Sequence, residues 1–343
     1  MIKREYKNRK ILIVGMARSG LSAGRFLAKR GARVYGYDIK SSQEINLKED
    51  FPISLIDQKD PAEVNLDNYD LIVTSPGVKR DNPIIKRAGK INLPVISEME
   101  AGLSVLPPVK IIAVTGTNGK TTTSKILEFL TGSFTAGNIG TPLTSVADQI
   151  KKGDLLILEV SSYQIPFSPF LTPEVAVLLN IFPEHLDWHG GYDNYVSDKI
   201  SLFNRQSESQ AALLNYSIKK EHPGLFKTIK SRKFFFSTRQ KVKGAYIKDG
   251  GLYFSSNSDE ELLMPVNNYK LKGEHNLENL AAAVCAAKLA GINKFPDIAG
   301  FRNLPHRMEE VIRREGVLYI NDSKATNMDS LYQAVKSLEA PLI

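Results

Sequence analysis

Three short stretches of this chain carry residues that can do chemistry together. In AVTGTNGKTTT, residues 113–123, glycines surround one lysine and lead into three threonines, between the apolar run VKII and the helix-like SKILEFL. Glycines let backbone N–H groups converge on phosphate oxygens, Lys120 brings a point charge to a β- or γ-phosphate, and the Thr121 hydroxyl can ligate magnesium. The full phosphate-loop pattern has a glycine where this chain has Val114, with Gly116 inside the loop instead, so the match is to a variant form. A glycine-rich turn with no ligand is the plain alternative; the strand before it and the helix after it favour a nucleotide. Glu159 closes the apolar run DLLILE. A carboxylate at the carboxyl end of a parallel strand lies where open α/β sheets bind ligands, and magnesium accepts such an oxygen. The alternative role is capping the next turn. His185 and His189 stand four apart in NIFPEHLDWHGGYDNYVSDK, a zinc-like spacing on a helix, but Pro183 and Gly190-Gly191 argue for a loop. Lys199 falls on a helix beginning near Asp193, where an exposed lysine is the ordinary expectation.

These residues need a scaffold, and the rest of the sequence supplies one. KILIV, ARVYGYD and YDLIVTSPG read as strands, with SGLSAGRFLAKRG an amphipathic helix between the first two. GMARSG gives Gly15-x-Ala17-x-x-Gly20, with Asp38 ending the second strand, the outline of a dinucleotide fingerprint in which Ala17 replaces the glycine of closest approach. Pro94 and Pro107-Pro108 mark a boundary between residues 97 and 108. The second block holds the doubly buried runs DLLILEVSS and EVAVLLNI. A hairpin follows at AYIKDGGLYF, then a helix at NLENLAAAVCAAKLAGI. The last block pairs EEVIRR with VLYIND around Gly316 and ends in a helix, MDSLYQAVKSL. The expected organisation is α/β throughout. Residues 1–98 form a Rossmann-like domain, 99–304 a central parallel-sheet domain of phosphate-loop ATPase type, and 305–343 an incomplete Rossmann-like third.

Length and composition fit this. The 343 residues suffice for two or three cores. A single cysteine, Cys285, sits in an apolar run and rules out a disulfide framework. No run approaches the ~18 apolar residues of a membrane span, and the start is too short in apolar residues for a signal peptide, so a cytoplasmic location is expected. The formal charge of +8 is scattered rather than massed with aromatics, which argues against nucleic acid and suits small polyanionic substrates.

Taken together, TGTNGKTTT, LEVSSYQ, NIFPEHLDWHG, KGEHNLENLAAA with LPHR, and INDSKATN resemble, in order, the motifs of the Mur ligases of bacterial cell-wall synthesis. Within that family, LEVSSYQ, AGNIGTP and INDSKATN look most like the members that add D-glutamate to UDP-N-acetylmuramoyl-L-alanine. The resemblance implies that Gly116, Thr117, Asn118, Gly119, Lys120, Thr121 and Thr122 bind the phosphates of ATP. It places Thr121, Glu159, His185 and a carbamylated Lys199 around Mg2+. Asn279 and Arg307 would contact adenine and phosphate, Asp322 the ribose, and Lys324 and Thr326 would face the reacting centre. Arg18, Ser19, Asp38, Ser75 and Gly77 would hold UDP, with Asn138 and His185 on the sugar side.

The implied reaction activates a substrate carboxylate as an acyl phosphate, which the amine of D-glutamate then attacks. The rivals are a dehydrogenase using GMARSG for NAD, a nucleotide-binding regulator without catalysis, and another Mur-type or folylpolyglutamate-type ligase. The dehydrogenase leaves TGTNGKTTT without a job. The resemblance further implies a chain cut short within the third domain, which binds the UDP-substrate and ATP weakly without ligating D-glutamate, as a monomer or as a dimer through its last helix.

Overall fold

Runs of β-branched and leucine residues set the strands, and glycine, proline and asparagine end them. The computed structural model describes residues 5–40, 42–45, 51–58, 60–138, 140–256, 259–302, 304–325 and 328–338. The first part alternates β1 (Lys10–Val14), α1 (Arg18–Lys29), β2 (Arg33–Tyr37), α2 (Ser42–Ile45), β3 (Ser54–Leu55), β4 (Leu71–Thr74), α3 (Pro83–Lys90), β5 (Val95–Ser97) and α4 (Glu98–Leu103). Its five strands are all parallel in the order β3-β2-β1-β4-β5, so the strand order reverses beside β1. Helix starts follow local chemistry. Asn82 accepts from the Ile84 N–H at 2.9 Å ahead of Pro83, and Ser97 accepts from the Glu100 N–H at 2.9 Å.

The second part runs β6 (Lys110–Thr115), α5 (Lys120–Thr131), β7 (Phe134–Gly137), α6 (Leu143–Val146), β8 (Leu155–Glu159), β9 (Val175–Leu178), α7 (Leu186–His189) and α8 (Tyr192–Asn204). It continues through β10 (Ala211–Asn215), α9 (Tyr216–Glu221), β11 (Arg232–Ser237), β12 (Gly244–Lys248), β13 (Gly251–Ser256), β14 (Asp259–Pro265) and α10 (Glu274–Leu289). These strands form one nine-stranded sheet, β14-β13-β12-β11-β10-β9-β6-β8-β7, parallel from β7 to β12 and antiparallel beyond. Strands β6, β8 and β9 are buried on both faces, which is why their sequences read as continuous apolar runs rather than alternating ones. On one face α5 and α10 complete a core that includes Cys285; burial pushes its thiol up. On the other face a single cluster runs from Ile11 and Leu27 through Met99 and Leu143 to Leu158 and Leu202. The two sheets therefore share a core through α4 and α6.

The remaining described residues form β15 (Glu309–Arg314), β16 (Val317–Asn321) and α11 (Met328–Lys336). The hairpin turns on Glu315 and Gly316, both with positive φ, the signature of a two-residue primed turn. Thr326 and the terminal APLI lie outside the described residues.

Candidate active site

The start of α1 and the loop after β4 reach connections between strands of the central sheet, Arg18 to the Gly140 carbonyl and the Val78 carbonyl to Trp188. β6 enters the turn at Gly116 between β8 and β9, and α5 starts from Gly119 with φ of 84°. A Cβ at Gly119 would lie 2.3 Å from Asn279 Oδ1, so this glycine is required both by conformation and by close approach. Asn180, just past β9, holds the turn like a strand partner. Its Oδ1 accepts from the Asn118 N–H at 2.8 Å, and its Nδ2 donates to the Asn118 carbonyl at 3.1 Å.

Lys120 folds back to donate to the carbonyls of Gly116 at 2.9 Å and Thr117 at 2.6 Å. Burial draws its pKa down, with Glu159 and Glu184 opposing. Lys199 lies on α8 and is 1% exposed, contrary to the surface lysine that the helix alone suggests. Its Nζ donates to the same Gly116 carbonyl at 3.0 Å and stands 4.6 Å from the Tyr195 ring. Burial, then the neighbouring Lys120, hold it well below the usual lysine range. Thr121 Oγ1 donates to Glu159 Oε2 at 3.0 Å, and Asn138 Nδ2 donates to Glu159 Oε1 at 2.8 Å. The carboxylate thus joins the phosphate-type turn to the loop after β7. Thr117 Oγ1 meets the Tyr195 hydroxyl at 2.7 Å and accepts from the Phe182 N–H at 2.9 Å.

The two histidines part company. Residues 186–189 form one helical turn, where the sequence suggests loop. His185 precedes it with φ of 54°; its ring is half exposed and lies against Tyr163. His189 is buried with both nitrogens engaged, Nδ1 to Asp198 Oδ2 at 2.6 Å and Nε2 to Ser162 Oγ at 3.0 Å. It therefore has no free nitrogen for zinc. Among the described residues no three His, Cys, Asp or Glu side chains cluster as a metal site. The Glu159 carboxylate and Thr121 hydroxyl do form a hard-oxygen pair that fits magnesium.

A cavity of about 870 Å³ adjoins the turn, lined by Asn118, Thr122, Asn279, Arg307, Asp322 and Lys324 among others. Thr123 Oγ1 donates to Asn279 Oδ1 at 3.3 Å, and Asp322 Oδ1 accepts from the Met308 N–H at 3.1 Å. In the first sheet, Asp38 accepts from the N–H groups of Met16 at 2.6 Å and Lys40 at 3.0 Å. Ser75 Oγ donates to the Gly15 carbonyl at 2.7 Å, and Arg18 reaches across to the Gly140 carbonyl at 2.5 Å. Ser19 is half-buried at the start of α1, and a Cβ at Gly77 would meet only open space. Sequence reasoning passed over Asn180, Tyr195 and Asp198. Tyr195 and Lys199 sit four apart on the buried stripe of α8 with Leu202 and Phe203, the spacing that could have flagged that lysine as buried.

The Mur ligase middle domain matches residues 114–287, and the Mur ligase MurD-like N-terminal domain matches residues 9–97. A UDP-N-acetylmuramoylalanine–D-glutamate ligase of Acidobacterium capsulatum is 37% identical over 97% of this chain and 75% of its own length. Its counterpart in Lactococcus lactis is 34% identical over 98% of this chain and 76% of its own length. Among solved structures, a MurF ligase of Thermotoga maritima in complex with ADP superposes with a TM-score of 0.55 at 17% identity, over 98% of this chain and 76% of that one. UDP-N-acetylmuramate–alanine ligase MurC of the same organism gives 0.55 at 20% identity, over 96% and 77%. At such identities the structural likeness speaks for the fold.

Proposed function

The chain belongs to the Mur ligase family of peptidoglycan synthesis, and from that premise we propose that it uses ATP to join D-glutamate to UDP-N-acetylmuramoyl-L-alanine. The observation that carries this reading is Glu159, hydrogen-bonded on one oxygen to Thr121 of the phosphate turn and on the other to Asn138 of the sugar side. One carboxylate at the meeting of two nucleotide sites suits a reaction between their ligands.

A carboxylate is a poor acylating agent. In the proposed reaction the alanyl carboxylate attacks the γ-phosphate, ADP leaves, and the amine of D-glutamate then displaces phosphate from the acyl phosphate. Lys120, released from the carbonyls of Gly116 and Thr117, turns to the transferring phosphoryl group and offsets its charge. Magnesium held by Thr121 and Glu159, with His185 and a modified Lys199, would supply further neutralisation. Lys199 suits carbamylation because burial favours its neutral amine. Its lone pair attacks CO2, the N–C bond forms, and a proton leaves to water, placing an anion beside Lys120 where a neutral amine stood. Asn279 and Arg307 on the cavity wall, with Asp322, are the proposed contacts for the rest of ATP, and Lys324 on the same wall is proposed to face the reacting centre. Arg18, Ser19, Asp38, Ser75 and Gly77 are those for UDP.

Titration calorimetry tests the substrate. UDP-N-acetylmuramoyl-L-alanine should bind at least tenfold more tightly than UDP-N-acetylmuramate, and NADH should not bind. Binding of NADH with no response to either UDP-sugar would replace the ligase with a dehydrogenase.

A further inference from the structure

The loop that follows β4 carries Ser75 and Gly77, and its next three residues all reach the central sheet's side of the molecule. The Val78 carbonyl accepts from Trp188 Nε1 at 3.2 Å, Lys79 pairs with Asp187 at 3.1 Å, and Arg80 Nη2 pairs with Asp198 Oδ1 at 2.6 Å. The first two contacts end on α7. Only Arg80 reaches α8.

Helix α8 is held by three side chains pointing in different directions. Lys199 ends on the Gly116 carbonyl, Tyr195 on the Thr117 hydroxyl, and Asp198 on Arg80 and His189. An ionised Asp198 only accepts, so His189 donates from Nδ1, and with a neutral ring its Nε2 accepts from Ser162. Asp198, His189 and Ser162 thus have the order of a nucleophile triad. Yet Ser162 and His189 are both buried, and neither lines the cavity beside the phosphate turn. The effect of the array is to lock Asp198. Lys79 and Asp187 are largely exposed, and such pairs contribute little. The Asp198 side chain is 10% exposed and the Arg80 side chain 40%, so this half-buried pair is the less screened of the two.

We propose that Arg80 is a positioning residue that couples the two nucleotide sites. Through Asp198 it ties the loop after β4 to α8, and α8 ties that loop to the backbone and hydroxyl of the phosphate turn at Gly116 and Thr117. A ligand that orders residues 75–80 therefore also orders the turn, and the second ligand binds a site already set. The inference rests on the reading above, in which the first sheet takes a UDP-sugar and the turn takes ATP.

The test is calorimetry on the 343-residue chain, measuring the affinity for the magnesium complex of a non-hydrolysable ATP analogue with and without saturating UDP-N-acetylmuramoyl-L-alanine. The parent should show coupling of about fivefold or more, the lower end of ordinary coupling. Arg80→Met should bring the factor below about twofold, well under the ordinary range of coupling, with each ligand alone bound nearly as by the parent. Arg80→Lys, which keeps the charge without the fork, should restore part of it. Asp198→Asn should behave like Arg80→Met, and Lys79→Ala like the parent. Should Arg80→Met fail to fold, Arg80→Lys and Asp198→Asn carry the same comparison. Uncoupled binding by the parent, or coupling unchanged in both Arg80→Met and Asp198→Asn, would overturn the role of Arg80 alone. Failure of the parent to bind either ligand would overturn the functional reading and the coupling with it.

Discussion

Replacing Lys199 by methionine should leave the chain at least as stable as the parent at pH 7 while removing a pH dependence that the parent has. Methionine fills nearly the volume of the lysine stem, so the main loss is the hydrogen bond to the Gly116 carbonyl, worth about 1 kcal/mol net. Against it stands Lys120, whose Nζ reaches the same oxygen. Both Nζ atoms lie within 3.0 Å of that oxygen, so as ammonium groups they stand no more than about 6 Å apart and repel by about 3 kcal/mol or more at an effective dielectric of 20. Repulsion and burial both act to keep Lys199 uncharged, and its pKa lies well below the ordinary value of 10.5. In the window between that lowered value and 10.5, the unfolded chain binds a proton that the folded chain lacks. Stability must therefore rise with pH across the window, by about 1.4 kcal/mol per pH unit, and fall as pH drops through the folded value. Lys120 adds a slope of the same sign that the variant keeps. Urea unfolding in CO2-free buffer from pH 7 to pH 9.5 measures both chains. Added bicarbonate should then stabilise the parent alone, through the carbamate. A variant about 2 kcal/mol or more less stable at pH 7, with the parent's slope intact and no bicarbonate effect, would show that Lys199 is a charged structural lysine.

Lys120→Ala should fold normally and lose about 100-fold or more in any phosphoryl transfer from ATP; transfer within a factor of two of the parent would remove it from the chemistry. Gly119→Ala combines a left-handed backbone with a Cβ placed against Asn279. It should cost about 2–4 kcal/mol in urea unfolding, and ATP-analogue binding should weaken with it. Glu98→Gln probes a carboxyl that burial pushes up to about 7, against hydrogen bonds from Thr144 that lower it. Because the folded chain holds that proton more tightly, the parent loses stability between about pH 4.5 and 7. The variant should escape up to about 3 kcal/mol of this loss, and parallel pH curves for the two chains would refute the assignment.

Much of the scaffold is legible because its signals are local. β6, β8 and β9 announce themselves as unbroken apolar runs, and the turns at Asp249–Gly250 and Glu315–Gly316 need residues that tolerate positive φ. The turn between β6 and α5 reads from Gly119 and Lys120. Strand order is not legible, since it depends on which crossover helix packs where; nothing in VAVLL says that β9 lies beside β6. β7 and β10, FTAG and AALLN, are poor in β-branched residues and do not stand out. The burial of Lys199 escaped for a physical reason. Its charge argues for the surface, and only the company of Tyr195, Thr117 and Gly116, the last of them 83 residues upstream, makes the interior tolerable. Asp198 hides in the same way, because its partners Arg80 and His189 come from other segments.

The most direct test of the central claim is to trap the activated carboxylate. The chain is incubated with ATP, magnesium, UDP-N-acetylmuramoyl-L-alanine and hydroxylamine, which converts an acyl phosphate to a hydroxamate, and the products are weighed by mass spectrometry. ADP and the hydroxamate of the UDP-sugar peptide should form together, only when nucleotide and UDP-substrate are both present, and not in Lys120→Ala. ADP without hydroxamate, or hydroxamate formed equally well from UDP-N-acetylmuramate, would contradict the proposed reaction.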